Sequence, residues 1–328
     1  MISAVVPVFN EEESLRELHG ELSAVAEQEG YDLEIVFVDD GSSDSSWEVI
    51  EALVAEDPRV RGVRFRANFG KAAALDAGFT AATGEIVFTL DADLQDDPKE
   101  MPRFLEKMEE GFDVVSGWKK KRYDPWHKVG PSRVFNAMVS KLTGVKLHDH
   151  NCGFKCYRGE IFEEVNLYGE LHRFVPVLAA ARGWKVSEIV VDHRARKFGQ
   201  SKYGVRRIVK GFLDLLTVKF LTGFGQRPQH VLGTAGLGCF FLGGVGLMWL
   251  TIQWIISRIG VVADALGMDV VHLSDRALFY YCLGALILGA QFMTVGFLAE
   301  LITAYQQSRH KVYSISKEVG GTPPDESS

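Results

Sequence analysis

The stretch from Gly84 to Asp97 reads GEIVFTLDADLQDD. Five residues of strand type, Glu85 to Thr89, lead through Leu90 to oxygen-bearing side chains at alternate positions, Asp91, Asp93 and Gln95. In an extended segment alternate side chains share one face, so all three can point at one ion. Hard oxygen donors at that spacing suit Mg²⁺ or Mn²⁺, ions that keep waters and take further ligands from phosphates. The stretch therefore reads as a metal and diphosphate site at the carboxyl end of a buried strand, where open α/β sheets place their ligands. A lone Asp-x-Asp would otherwise be a solvated acidic turn, and the surrounding chain decides between the two.

Two basic stretches could meet such an anion. Lys119, Lys120, Lys121, Arg122, Lys128 and Arg133 are interleaved with Trp118, Tyr123 and Trp126. The three lysines read as a solvated loop, whereas the planar guanidiniums of Arg122 and Arg133 can grip phosphate with two hydrogen bonds. The second stretch runs from His193 to Tyr203 and contains Arg194, Arg196, Gly199, Ser201 and Lys202. His148 to Cys156 concentrates metal-ligating types, but its spacing matches no zinc pattern and Phe154 to Tyr157 reads as a strand. The run Gly233 to Gly238 follows no strand and lies in an apolar segment, so it is no dinucleotide signature; small residues there let helices approach closely.

The elements that must position these groups alternate strand and helix. Ile2 to Val8, Leu33 to Val38, Val60 to Phe65, Glu85 to Thr89 and Asp113 to Ser116 are apolar runs of strand length. Helical segments between them predict a mostly parallel, doubly wound α/β sheet. The acidic cluster Glu11, Glu12 and Glu13 suits the first turn of a helix, where the dipole favours negative charge. Asp39-Asp40-Gly41-Ser42-Ser43-Asp44 closes the second strand, with Gly41 permitting the turn and a Ser or Asp capping the next helix. For Asp44 capping is the favoured role. Lys71 opens an Ala-rich helix and either reaches a phosphate or is a solvated helix residue.

Charge divides the chain of 328 residues unevenly. Val231 to Ser257 contains no Asp, Glu, Lys or Arg, and Ala277 to Ala304 contains Glu300 alone. Each exceeds the roughly 20 apolar residues that cross a hydrocarbon core as a helix. The organisation expected is a catalytic domain at 1–202, juxtamembrane amphipathic helices at 203–230, spans at 231–257 and 277–305, an outer loop at 258–276 and a tail at 306–328. The segment from Tyr203 to Leu221 has apolar residues at helical spacing with Arg206, Arg207, Lys210 and Lys219 between them, as a helix in the membrane interface would. No signal peptide precedes the first domain. The loop carries two Arg against Asp264, Asp269 and Asp275, while Lys and Arg flank the outer ends of both spans, which puts both chain ends in the cytoplasm. The formal net charge of -7 argues against a nucleic-acid partner. Two of the four cysteines lie in the spans and two face a reducing cytosol, so no disulfide framework is expected.

These residues carry a resemblance. Val6-Pro7-Val8-Phe9-Asn10-Glu11, Val38 to Asp44, Asn68-Phe69-Gly70-Lys71 and Asp91 to Asp96 occur at the order and spacing of family 2 glycosyltransferases. With two C-terminal spans, the chain resembles the polyprenyl-phosphate glycosyltransferases, the group of dolichyl-phosphate mannose synthases and bactoprenol glucosyltransferases. The resemblance implies a GT-A fold, a nucleotide-sugar donor (UDP or GDP), Mg²⁺ or Mn²⁺, a polyprenyl-phosphate acceptor in the bilayer, and inversion at the anomeric carbon. It places Pro7, Phe9, Glu11 and Asp39 or Asp40 on base and ribose, with Lys71 and Asp91 also on the donor side. Asp91, Asp93 and Gln95 would hold the metal. Arg122, Arg133, Ser201 and Lys202 would meet the acceptor phosphate, and Arg196 the transferring one. Asp93, Asp149 and Arg196 are the expected catalytic groups, with His172 and Arg173 either reading sugar or phosphate or capping a helix. The membrane is expected to be the inner cell membrane, with the catalytic domain cytoplasmic; self-association is left open. A processive polysaccharide synthase would need a Gln-x-x-Arg-Trp sequence and more spans, and a non-catalytic scaffold would leave the acidic site idle.

Overall fold

The computed structural model describes residues 1–120, 126–165, 171–194, 214–215, 217–218, 228–259 and 269–307. The chain divides into two compact units, Phe224–Val312 being one and the remainder the other. In the larger unit, β1 (Ile2–Val8), β2 (Leu33–Asp39), β3 (Val60–Arg64), β4 (Ile86–Thr89), β5 (Val114–Trp118), β6 (Lys155–Arg158) and β7 (Val186–Val190) form one sheet in the order β3-β2-β1-β4-β6-β5-β7. All pairings are parallel except those of β6, which runs antiparallel between β4 and β5. β1 and β2 are buried almost throughout, as strands covered on both faces must be.

Apolar spacing assigns the helices to faces. α1 (Leu15–Glu29) buries Leu15, Leu18, Leu22, Val25 and Ala26, one stripe at helical period, against one face of the sheet. α2 (Ser46–Glu56) adds Ile50 and Leu53 to it, and α4 (Met101–Glu109) adds Met101, Phe104 and Met108. α3 (Lys71–Ala81) covers the other face with Ala74, Leu75 and Phe79, joined by α6 (Ile161–Glu164) and α7 (Val175–Ala181). α5 (Trp126–Thr143) packs Val139 on Phe174 and Val177.

Three differences from the sequence expectation have local causes. α1 starts at Leu15, so Glu11 to Glu13 precede it in a turn, because Asn10 adopts φ 56° and the Ser14 hydroxyl bonds back to the Glu11 carbonyl at 3.0 Å. The edge strand β7 was not expected, since its sequence VSEIV is half polar and half-buried. Leu215 and Val218, expected on an interfacial helix, are buried against Val139, Phe174 and Val177 in the domain core. Apart from 214–215 and 217–218, residues 203–227 lie outside the described residues.

In the smaller unit α8 (Pro228–Arg258) and α9 (Ala277–Gln307) pair closely. The segments Gln229–Arg258 and Ala277–Leu301 are long and apolar enough to cross a membrane. A Cβ on Gly289 would stand 2.6 Å from the Gly236 carbonyl, and one on Gly243 2.6 Å from the Cys282 carbonyl, so glycine lets the two backbones touch. Trp249, Tyr280 and Tyr281 are exposed on these helices.

Candidate active site

Strand order places the switch point between β1 and β4, since β2 and β3 run outward on one side and β4 begins the other. β4 ends at Thr89, and Asp91 to Gln95 are not extended as the alternation argument requires. They form a turn in which Leu94 takes φ 60°, a conformation costly for a bulky residue. Burial of the Leu94 side chain, 2% exposed, and a 3.2 Å bond from the Gln95 N–H to Asp93 Oδ1 hold it. Asp91, Asp93 and Gln95 thus share one turn by backbone reversal rather than by strand pleat. Asp91 packs on Gly153, where a Cβ would lie 2.7 Å from Asp91 Oδ2, so only glycine leaves the carboxylate its place.

Cations from three elements surround this turn. Lys71, first residue of α3 and partly exposed, donates to Asp91 Oδ1. Lys119, after β5, stands 2.7 Å from Asp96 Oδ1 with its side chain 12% exposed, contrary to the solvated loop expected of it. Lys155 on β6 is buried and donates to the Cys152 carbonyl. Burial pushes the Asp91 carboxyl up, but Lys71, Lys119 and Lys155 pull it down further, to about 2. Burial pushes the Cys152 thiol up to about 12, so it stays protonated. Sequence analysis missed Asp96 and Lys155 and misjudged Lys119. The available signal was a lysine inside an apolar strand, between Phe154 and Cys156, which cannot be buried without carboxylate company.

The ends of β1 and β2 form the neighbouring wall. Pro7 falls where β1 pairs with β2 alone, so its missing N–H breaks no bond to β4. Phe9 and Pro7 are half-buried, and the Glu11 N–H donates to Ser46 Oγ at 2.9 Å. Asp40 spends both oxygens on the 68–70 loop, accepting from the Phe69 N–H at 2.7 Å and the Gly70 N–H at 2.9 Å. Asp39, fully buried, accepts from the Ser42 N–H at 2.9 Å through Oδ1 only. Its Oδ2 receives no hydrogen bond among the described residues, Arg64 Nε standing 3.4 Å away. Gly41 turns beside them at φ 69°, where a Cβ would strike the Ala67 carbonyl carbon at 2.6 Å. A cavity of about 350 Å³ opens here, lined by Gly41, Ser42, Arg64, Phe65 and Arg66. Asp44 accepts from the Ser46 N–H at 3.0 Å in the turn before α2, whose N-cap is Ser45, so Asp44 is not the capping residue expected.

Because β6 runs backwards, the residues before it reach the same edge. Asp149 is 1% exposed and accepts from the Asn151 N–H at 3.1 Å. His150 meets Ser140 Oγ at 3.1 Å, and burial with Lys155 nearby lowers it to about 4. His148 stacks on Trp118 with ring centres 4.0 Å apart. His172, on a 3₁₀ turn before α7, is held neutral by burial and by the charges of Lys71, Arg173 and Lys155. Arg133 is exposed on α5. Arg122, Tyr123, Arg196, Gly199, Ser201 and Lys202, and the side chains of Trp126 and Lys128, lie outside the described residues.

Among the described residues no three His, Cys, Asp or Glu side chains converge on one point, so the turn supplies the donor chemistry of a hard divalent cation rather than a closed cage for it. Asp91 is ionised throughout the physiological range, and Asp93 and Gln95 add oxygen donors within the same turn.

Residues 3–165 match the family described as glycosyl transferase family 2. The chain is 36% identical over 306 residues to the dodecaprenyl-phosphate galacturonate synthase of Rhizobium johnstonii, a match covering 92% of this chain and 87% of that protein. It is 36% identical over 302 residues to the undecaprenyl-phosphate 4-deoxy-4-formamido-L-arabinose transferase of Pseudomonas fluorescens, covering 92% and 84%. Glucosyl-3-phosphoglycerate synthase from Mycobacterium tuberculosis, solved with Mn²⁺ and UDP-glucose, superposes with a TM-score of 0.52 at 19% identity over 67% of this chain and 78% of that one. That likeness bears on the fold, which is the GT-A arrangement the resemblance implied. An acidic turn at the β1/β4 switch point, a second carboxylate at the end of β2, and identity sustained over nine-tenths of the chain agree: this protein is a glycosyltransferase and belongs to glycosyl transferase family 2.

Proposed function

We propose that the enzyme moves one sugar from a uridine diphosphate sugar to a polyprenyl phosphate at the cytoplasmic face of a membrane crossed by α8 and α9. The acceptor is carried by one observation. Likeness to two enzymes named for polyprenyl-phosphate sugars covers 92% of the chain, so it cannot stop at the α/β unit and must reach the apolar helices. Charge flanking those helices supports cytoplasmic chain ends.

The nucleoside follows from Asp39. Guanine presents two adjacent N–H groups and suits a carboxylate with both oxygens available, whereas uracil presents one N–H between two carbonyls. Asp39 has Oδ2 alone to offer, with Arg64 beside it to meet a carbonyl. Pro7, Phe9 and Glu11 flank the nucleoside, and Arg64 to Arg66 line the adjoining cavity.

Asp91, Asp93 and Gln95 would hold Mg²⁺ or Mn²⁺, which when bound neutralises charge on the departing diphosphate. Lys71 sits where its ammonium can follow that charge as it develops. The acceptor phosphate, with a second pKa near 6, is largely a dianion at pH 7 and needs little help from a base. Asp149 then orients the acceptor or stabilises positive charge on the sugar ring. Arg122, Arg133, Arg196, Ser201 and Lys202 are the proposed contacts to the acceptor and transferring phosphates.

The test is a panel of radiolabelled nucleotide sugars offered to the purified enzyme with undecaprenyl phosphate in micelles. One glycolipid carrying one sugar, formed from a UDP-sugar and not from GDP-sugars, is expected. Transfer from a GDP-sugar alone would overturn the uridine assignment, and polymeric product or none with any polyprenyl phosphate would overturn the reaction.

A further inference from the structure

The acidic turn is clamped on its exit side by a residue outside it. Arg194 follows β7, and its Nη1 stands 2.6 and 2.9 Å from the two carboxylate oxygens of Glu21 on α1. Its Nη2 stands 2.6 Å from Asp97 Oδ2. Its backbone N–H donates to the Gln95 carbonyl at 3.0 Å, and the adjacent His193 pairs antiparallel with Asp96. Asp97 is itself fixed, because its Oδ1 accepts from the Lys99 N–H at 3.0 Å at the start of the 3₁₀ turn Pro98–Glu100. Both arms of the Arg194 fork are therefore spent on carboxylates, which leaves it no hand for a phosphate.

The geometry also says what the clamp holds. A left-handed leucine persists only where its surroundings over-determine it. Leu94 lies between Asp91, held by Lys71, and Gln95, whose carbonyl Arg194 holds. The entry of the strained turn is thus fastened by the Lys71 ammonium and its exit by the Arg194 backbone N–H, whose segment the guanidinium anchors to Glu21 and Asp97.

We propose that Arg194 is a positioning residue for sugar transfer: clamped to Glu21 and Asp97, it fixes the backbone at Gln95 and so aims Asp93 and Gln95 at the cation and diphosphate. This rests on the reading of that turn as the cation and diphosphate site. Arg194 acts through the turn and touches no reactant, as outer-shell partners of metal ligands do.

The experiment uses the full chain in micelles and titrates Mn²⁺ in the presence of UDP, following free Mn²⁺ by electron paramagnetic resonance. Arg194→Met is expected to weaken Mn²⁺ binding by about ten- to a hundredfold and to lower kcat by a similar factor, the usual cost of losing an outer-shell partner. UDP affinity without metal should hold, because the Asp39 wall is untouched, and the melting temperature without ligands should fall only modestly, because Arg194, Glu21 and Asp97 are all partly exposed. Arg194→Lys keeps the charge without the fork and should recover part of the loss. Asp97→Asn keeps its cap on Lys99 and should reproduce the defect, with the double variant no worse than either single one. Unchanged Mn²⁺ affinity and kcat in Arg194→Met and Asp97→Asn would overturn the proposal. So would equal losses of metal-free UDP affinity and melting temperature, which would make Arg194 a general fold contact. Failure of the unmutated protein to bind Mn²⁺ with UDP would remove the reading of the turn and the proposal with it, whereas normal binding there with unaffected variants removes the proposal alone.

Discussion

Lys119 Nζ lies 2.7 Å from Asp96 Oδ1 in a pair whose side chains are 12% and 0% exposed. Removing one partner of such a pair leaves a buried charge without its counterion, a loss of about 3–5 kcal/mol. Lys119→Met is accordingly expected to destabilise the α/β unit by about that much, and Lys119→Met with Asp96→Asn to recover part of it. Lys120 is exposed, and Lys120→Ala should stay within about 0.5 kcal/mol of the unmutated protein. Urea unfolding followed by tryptophan fluorescence reads both; equal effects of the two lysines would refute the assignment.

Asp39→Asn should keep the bond from the Ser42 N–H, since an amide oxygen can accept it, and lose the charge facing the cavity. A charge-assisted hydrogen bond is worth about 1.5–3 kcal/mol, so UDP should bind about ten- to a hundredfold more weakly. Asp40→Asn instead disturbs the 68–70 loop, and its effect should appear in thermal stability as well as in binding. Calorimetric titration of UDP into both variants, beside melting curves, separates the two.

Asp93→Asn is expected to keep the fold and abolish transfer, and EDTA to do the same reversibly in the unmutated enzyme, because the leaving diphosphate loses its charge partner. Full activity of Asp93→Asn in chelator would dismiss the metal assignment.

His150 is fully buried and lowered to about 4, from an ordinary value of 6.5, by burial and by Lys155, against the opposing charge of Asp149. The unfolded chain therefore takes up a proton between pH 6.5 and 4 that the folded chain refuses, so stability rises with pH across that window and is fully present above it. The contribution reaches about 3 kcal/mol. His150→Gln, which retains a partner for Ser140, should flatten the pH dependence of urea unfolding between pH 4 and 6.5; an unchanged slope would show that other groups set it.

Much of the nucleotide side was legible because its signals are local. Ile2 to Val8, Leu33 to Asp39 and Ile86 to Thr89 announce themselves as apolar runs, and the polar residues after each run mark the edge where ligands sit. What was not legible depends on contacts distant in sequence. Nothing near Lys119 says that Asp96 will cover it, and nothing between Asp91 and Gln95 says that the chain will reverse at Leu94 rather than continue extended. The choice between Asp39 and Asp40 likewise turns on which backbone N–H groups the 68–70 loop brings to which carboxylate.

The antiparallel strand β6 bears on how the protein is made. β1, β2, β3 and β4 pair among themselves and can assemble as the chain emerges, but β4 finds its outer neighbour only when residues 155–158 arrive to pair with 86–89. Pairings so distant in sequence close slowly, and the N-terminal part of a chain is synthesised first. Until then β4 is a bare, apolar sheet edge open to pairing with other nascent chains. Gly153 and Lys155 travel with β6, so the support of the acidic turn is missing for the same interval. The strand that completes the site is also the one that ends this exposure, and slowed translation between β4 and β6 would lengthen both the delay and the aggregation hazard.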